Sequence, residues 1–191
     1  MVCHNPYFKK HKGELLELQC GKCPRCKNRR INQWIFRIRQ ELKQSISAKF
    51  ITLTYAPKTL PRTKRNLGTL RKADAQHFIK RLREIEKDAG NEKIVKYFLA
   101  GEYGTATKRP HLHAIILNVT KNEHIEEAWR RKKQPLGHVH IGTVTQDSIA
   151  YTLKYIDKDC YIGYHRNDER ERVSQSRSGG VIYMKLFLLF G

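Results

Sequence analysis

Four short apolar runs alternate with stretches of helical periodicity, and few folds accommodate that order. Phe50–Tyr55, Ile94–Ala100, His111–Leu117 and His138–Val144 are short and rich in β-branched or aromatic residues, as strands are. Ile31, Trp34, Ile35, Ile38 and Leu42 recur at helical spacing and predict a helix over Asn28–Ser45. Phe78, Ile79, Leu82 and Ile85 predict a second, from an Asp74 N-cap to Asp88, with Gly90 as its stop. Thr120 and Glu123 form a capping box for a short helix through Arg131, and Asp147 caps a last one through Lys158. Connections of this kind allow an antiparallel sheet with helices on its faces, an α+β layout.

The chain divides by composition into three parts. Residues 1–27 form a Cys-rich basic appendage, 28–160 carry the α+β domain, and 161–191 form a polar tail that ends in an apolar segment. That segment, Val181 to Phe190, is interrupted by Lys185, is too short to span a bilayer, and reads as a buried element. The opening MVCHNPYFKKHKG has no apolar core of a secretory signal. The expected setting is therefore a cytoplasm, with no membrane partner.

Charge narrows the function. Lys and Arg number 38 against 18 Asp and Glu, a net +20. A surface that repels itself so strongly destabilises the fold unless a polyanion binds it, and nucleic acid is the commonest polyanion. Lys22, Arg29, Arg62, Arg81, Arg83 and Arg131 are among the candidate phosphate contacts. Tyr55, Tyr103 and Tyr161 are candidates to stack on unpaired bases.

His111-Leu112-His113 is the sharpest local signal. On a strand, residues i and i+2 share a face, so both imidazoles point one way and can grip one ion. Glu102 lies nine positions earlier, at the end of the preceding strand; if the two strands pair, its carboxylate completes a mixed site suited to Mn²⁺ or Mg²⁺. The plain alternative is a pair of surface histidines on an edge strand and a carboxylate in a turn. His138-Val139-His140 is a second such pair with no matching acid.

The last predicted helix is unusual. At about 100° per residue, Tyr151, Lys154, Tyr155 and Lys158 fall on one arc, and Ile149, Leu153 and Ile156 on the opposite face. The apolar stripe is already supplied without the tyrosines, so they face water or a ligand. A phenol is a poor nucleophile until it ionises, and a neighbouring ammonium or a cation stabilises that charge.

Cys3, Cys20, Cys23 and Cys26 supply four thiols for a tetrahedral Zn²⁺ site; the spacing also fits iron–sulfur ligation or free thiols. Cys160 is left over. An odd count, with three cysteines in Cys20-x-x-Cys23-x-x-Cys26, argues for a reducing compartment.

Taken together, Thr52-Leu53-Thr54, Pro110-His111-Leu112-His113 and Tyr151-x-x-x-Tyr155-x-x-Lys158 resemble the three motifs of HUH endonucleases. The order, histidines before tyrosines, is similar to that of rolling-circle replication initiators, and the paired tyrosines and cysteine head resemble those of microviruses of the gokushovirus kind. The resemblance implies a central antiparallel sheet flanked by helices in an HUH nuclease domain over 28–160. It implies His111, His113 and Glu102 as ligands of a catalytic Mn²⁺ or Mg²⁺. Tyr151 and Tyr155 become nucleophiles, with Lys154 or Lys158 assisting. The implied activity is nicking and rejoining of a single-stranded DNA origin through a 5′-phosphotyrosine, in the cytoplasm of a bacterial host. No G-x-x-x-x-G-K-[ST] occurs, so a host helicase and polymerase are the expected partners. Two alternatives share part of this pattern: a non-catalytic basic single-stranded nucleic-acid-binding protein and a tyrosine HUH transposase.

Overall fold

The computed structural model describes residues 3–64, 66–104, 107, 109–157 and 182–183; at 154–157 and 182–183 it describes the backbone alone. The chain divides into two compact units, Met1–Gln40 and Glu41–Gly191. The expected boundary at 27/28 falls within a continuous helix, and the expected tail lies outside the described residues except for 182–183.

The first unit holds a hairpin and most of one helix. Strands β1 (Tyr7–His11) and β2 (Glu14–Leu18) pair antiparallel, with Tyr7 opposite Leu18. Lys12 and Gly13 join them with φ of 49° and 87°. Two consecutive positive φ values match the right-handed twist of the strands, the reason such two-residue hairpin turns recruit glycine. Helix α1 (Pro24–Gln44) follows. It starts four residues earlier than periodicity suggests, with Pro24 at its first position, where the missing N–H costs nothing.

The second unit is an α+β fold around a five-stranded sheet. In chain order its elements are β3 (Ala48–Thr54), α2 (Lys72–Asp88), β4 (Lys96–Tyr103), β5 (Pro110–Leu117) and α3 (Asn122–Ala128). The short ladder β6 (Arg130–Arg131) and β7 (Gln134–Pro135) comes next, then β8 (Val139–Thr143), α4 (Gln146–Asp157) and β9 (Ile182–Tyr183). The sheet order is β8-β3-β5-β4-β9, and every pairing is antiparallel. This is the expected architecture.

Alternation along the strands sorts side chains between two faces. Ile51, Leu53, Tyr55, Leu99, Leu112, Ala114 and Ile116 go to one face and bury against Ala75, Phe78, Ile79 and Leu82 of α2 and Ile125 of α3. Trp129 fills the same core, edge-on to Phe78 at 5.9 Å, and its indole N–H donates to the Thr54 carbonyl at 3.0 Å. The opposite face of β4 and β5 receives α4. The chain reaches β8 through Gly137, where a Cβ would collide with the backbone of Thr54, Tyr55 and Ala56. Only glycine allows that approach.

The helix starts depart from expectation. Helix α2 begins at Lys72, and Asp74 is buried within its first turn; it accepts from the Tyr55 hydroxyl at 3.2 Å and from Arg131 at 2.8 Å. A partner far away in sequence displaces the local cap. Thr120 does not cap α3 either: its N–H and hydroxyl both donate to the buried Glu86 carboxylate, at 3.0–3.1 Å. For α4 the reciprocal box is Thr145 with Ser148, at 2.8 and 3.1 Å, and Asp147 sits in the first turn near the helix dipole. Among the described residues no helix is long and apolar enough to cross a membrane.

Candidate active site

The register of three strands assembles the site. Across β4 and β5, Glu102 stands opposite His111 and Ala100 opposite His113. Across β3 and β5, Thr54 stands opposite His111 and Thr52 opposite His113. Directly opposed residues share a face. Thr52, Thr54, Glu102, His111 and His113 therefore emerge together on the face away from the α2 core.

Helix α4 completes the cluster. Ile149, Thr152 and Leu153 are buried, and the Thr152 hydroxyl donates to the Ser148 carbonyl at 2.7 Å. That seating brings Tyr151 over the histidines while leaving it 41% exposed. Its hydroxyl donates to Glu102 Oε2 at 3.0 Å, and its ring lies edge-on to His113, with centroids 5.1 Å apart. The same carboxylate oxygen lies 3.2 Å from Nε2 of His111 and 3.2 Å from Nε2 of His113. Two imidazoles, one carboxylate and one phenol thus meet at a single point.

The outer nitrogens explain the orientation. His111 Nδ1 lies 3.1 Å from the Arg109 carbonyl, which can only accept. In its neutral form the ring carries its proton on Nδ1, which leaves Nε2, the nitrogen facing Glu102, as the ligand atom. His113 Nδ1 lies 3.0 Å from Thr52 Oγ1, and Phe50 stacks on the ring at 5.9 Å. Burial pushes the His113 imidazole down to about 4; the neighbouring His111 charge acts the same way, and Glu102 opposes both. Near neutral pH His113 is thus uncharged.

Two imidazole nitrogens and one carboxylate oxygen converging from neighbouring strands are a mixed nitrogen–oxygen donor set, and such a set fits a divalent ion. Glu102, His111 and His113 offer ligand atoms within 4.8 Å of one another. Outer-shell partners of metal-binding histidines are each worth roughly 10–100-fold in affinity. Thr52→Val keeps the strand and the side-chain volume but removes the partner of His113 Nδ1. Mn²⁺ affinity, followed by titration of the free ion's paramagnetic signal, is expected to fall within that range.

Other expected residues fare differently. Cys3, Cys20, Cys23 and Cys26 come together in the first unit. Tyr155 and Lys154 lie on the α4 backbone with their side chains outside the described residues, and Lys158, Cys160 and Tyr161 lie outside them altogether. His140 stands opposite Thr52 on β8, exposed, and His138 precedes that strand; neither joins a group of three donors among the described residues.

Tyr55 is not available to stack on bases: it is 1% exposed, on the core parity of β3, and burial with the nearby Asp74 charge pushes its phenol far up. Tyr103 packs against the same core, and its hydroxyl accepts from the Leu70 N–H at 3.1 Å. Three expected phosphate contacts serve the fold. Arg81 donates to the Ala128 carbonyl, Arg83 to that of Val95, and Arg131 pairs with Asp74. Nothing local to these arginines marks them as structural. Phe50 carries no sequence signal beyond its strand parity, opposite to Ile51 and Leu53, which places it with Thr52 of the first motif beside the histidines.

Comparison with known proteins bears on this geometry. The family described as replication-associated protein ORF2 matches residues 48–160, a span that contains all four clustered side chains. The chain is similar to "Replication-associated protein VP4" of Bdellovibrio phage phiMH2K, 30% identical over 172 residues, covering 78% of this chain and 50% of that protein. It is also similar to "Replication-associated protein ORF2" of Spiroplasma virus 4, 29% identical over 153 residues, covering 73% of this chain and 47% of that protein. The chain spans about half the length of these curated relatives. No solved structure matches it.

Proposed function

Because the chain belongs to the replication-associated protein ORF2 family, we propose that it opens replication by cutting DNA itself, as a metal-dependent HUH-type endonuclease acting on a single-stranded origin. The observation that carries this reading is the convergence of Tyr151, His111 and His113 on Glu102 Oε2, within 3.0–3.2 Å. A binding surface needs no such arrangement.

Each residue has a task that its position supports. Tyr151 is the nucleophile: its hydroxyl points into the cluster, donating to Glu102 Oε2, while the residue stays partly exposed on the surface a strand would approach. Attack by the phenolate oxygen on phosphorus forms the Tyr–O–P bond and breaks the bond from phosphorus to the 3′-oxygen. The phenol's proton goes to solvent, the departing 3′-oxygen takes one from solvent and leaves as a free 3′-OH, and the 5′-phosphate stays on the enzyme. Rejoining is the reverse, with a 3′-OH attacking the phosphotyrosine. Glu102, His111 and His113 would hold a divalent cation whose chemistry is to polarise the phosphate and stabilise the charge gathering there. Two imidazoles beside one carboxylate favour Mn²⁺ over Mg²⁺.

Tyr155 follows Tyr151 by one helical turn and is the second nucleophile in this reading, with Lys154 or Lys158 as the cationic neighbour. The +20 net charge supplies the grip on the phosphate backbone. The setting is the cytoplasm of a bacterial host, with the host's helicase and polymerase completing replication.

The test is an adduct assay on single-stranded oligonucleotides tiled across the genome that encodes the chain. One tile is expected to yield a covalent protein–DNA species with Mn²⁺, lost on adding a chelator. Salt-sensitive binding of every tile, without cleavage under any divalent ion, would instead establish a non-catalytic binding protein.

A further inference from the structure

We propose that Cys3, Cys20, Cys23 and Cys26 form a second, structural metal site that binds one Zn²⁺ and holds the N-terminal hairpin to the start of α1. The site is independent of the nicking reading.

The spacing of the sulfurs is the first argument. Cys3 Sγ lies 3.4 Å from Cys20, 3.9 Å from Cys23 and 3.5 Å from Cys26, and Cys20 lies 3.9 Å from Cys26. A disulfide requires about 2.05 Å, and all four are free thiols. A tetrahedron of sulfurs around one zinc, with bonds of about 2.3 Å, has edges of about 3.8 Å. The observed separations bracket that value. An iron–sulfur cluster, with several irons and sulfides at its centre, holds its thiolates further apart than one ion does.

The backbone is arranged for thiolates. The N–H groups of Lys22 and Cys23 donate to Cys20 Sγ at 3.4 and 3.3 Å, and the N–H of Cys20 donates to Cys3 Sγ at 3.3 Å. Donors aimed at sulfur stabilise its anion and turn the loop around it. Cys26 sits buried in the first turn of α1, where a cation beside it offsets the cost of burying its anion. Four thiolates and Zn²⁺ carry a net −2, and Lys22, Arg25, Lys27, Arg29 and Arg30 follow within the same stretch. Arg30 also donates to the Gly21 carbonyl at 3.0 Å, bracing the loop. Four soft sulfurs select Zn²⁺ over Mg²⁺, Ca²⁺ or Mn²⁺.

The hairpin supplies the need. Tyr7, Phe8 and Leu15 are 54–63% exposed, so neither face of β1–β2 packs as a core. A lone two-stranded hairpin is marginal in water. Cys3 precedes it, Cys20 follows it, and Cys23 and Cys26 lead into α1. One ion therefore ties both ends of the hairpin to the helix, and its binding energy becomes folding energy for this segment.

The experiment uses the full chain, purified without chelator under reducing conditions. Elemental analysis is expected to find one zinc per chain, retained in the His111→Ala/His113→Ala variant and lost in Cys20→Ser/Cys23→Ser. Replacement by Co²⁺ is expected to give the intense visible bands and sulfur-to-metal charge transfer of a tetrahedral thiolate site. Because the cysteine variant can fail by misfolding, hydrogen exchange of the unmutated chain is the second readout. Removing zinc is expected to speed exchange in 3–26 by on the order of tenfold or more and to leave the sheet unchanged. Iron with acid-labile sulfide, a disulfide among these cysteines, or no cobalt–thiolate spectrum on reconstitution would each overturn the assignment.

Discussion

Tyr151→Phe is expected to abolish the covalent protein–DNA species and to lower first-turnover strand cleavage by about 10³-fold or more, the scale on which losing a nucleophile acts. The substitution is minimal. The ring keeps its edge-on contact with His113 at 5.1 Å, and Ile149 and Leu153 still seat the helix. The hydroxyl alone is lost, with its 3.0 Å bond to Glu102. Single-stranded DNA binding, carried by dispersed positive charge, is expected to change by less than about threefold at matched salt. Quenched-flow cleavage of the origin oligonucleotide reads the chemical step, and a titration of the same oligonucleotide under chelator reads binding. Tyr155→Phe provides the contrast: the first cut survives, and the second transfer, onto a new 3′-OH, fails. Loss of the first cut in Tyr155→Phe with normal cleavage in Tyr151→Phe would exchange the two roles.

Glu102→Gln is expected to weaken Mn²⁺ binding by at least about 100-fold and cleavage by about 10³-fold, because it takes away the one anionic oxygen on which the whole cluster converges. Shape and volume hardly change. Without metal, the mostly buried carboxylate carries the cost of desolvating its charge, which offsets its hydrogen bonds, so its replacement by a neutral amide of the same shape is not expected to destabilise the sheet by more than about 1 kcal/mol. Three readouts separate the possibilities: ion binding, first-turnover cleavage, and denaturant unfolding under chelator. Ion affinity and rate should fall together while unfolding stays put. A variant that binds Mn²⁺ and cuts as well as the parent would remove Glu102 from the site. One that simply unfolds would make the carboxylate structural.

Much of the site is legible in the sequence because its pieces are short-range patterns. His111 and His113 share a face by the two-residue period of any strand, and Ile149 and Leu153 show which side of α4 is buried. The same parity argument rules out Tyr55 as a base-stacking residue, since it follows Ile51 and Leu53 onto the core face. The hairpin β1–β2 is harder to read: its residues do not alternate cleanly, and only Lys12-Gly13 hints at the turn. Asp74 and Thr120 look like caps and are not, for a different reason. Their true partners, Arg131 and Glu86, lie 57 and 34 residues away. A local rule has no access to a competitor that arrives only when the chain folds.

Residue type and periodicity, both local properties, suffice to establish an antiparallel α+β domain, a pair of like-facing histidines, an amphipathic tyrosine helix and a set of four sulfurs. Whether those parts meet is not local. It depends on which strand lies beside β5 and in what register, on how α4 lands on β4 and β5, and on side chains such as Thr52, Arg81 and Asp74 finding partners far along the chain. Closing contacts across tens of residues is decided by the summed burial of the whole core, and only the tertiary structure carries that sum.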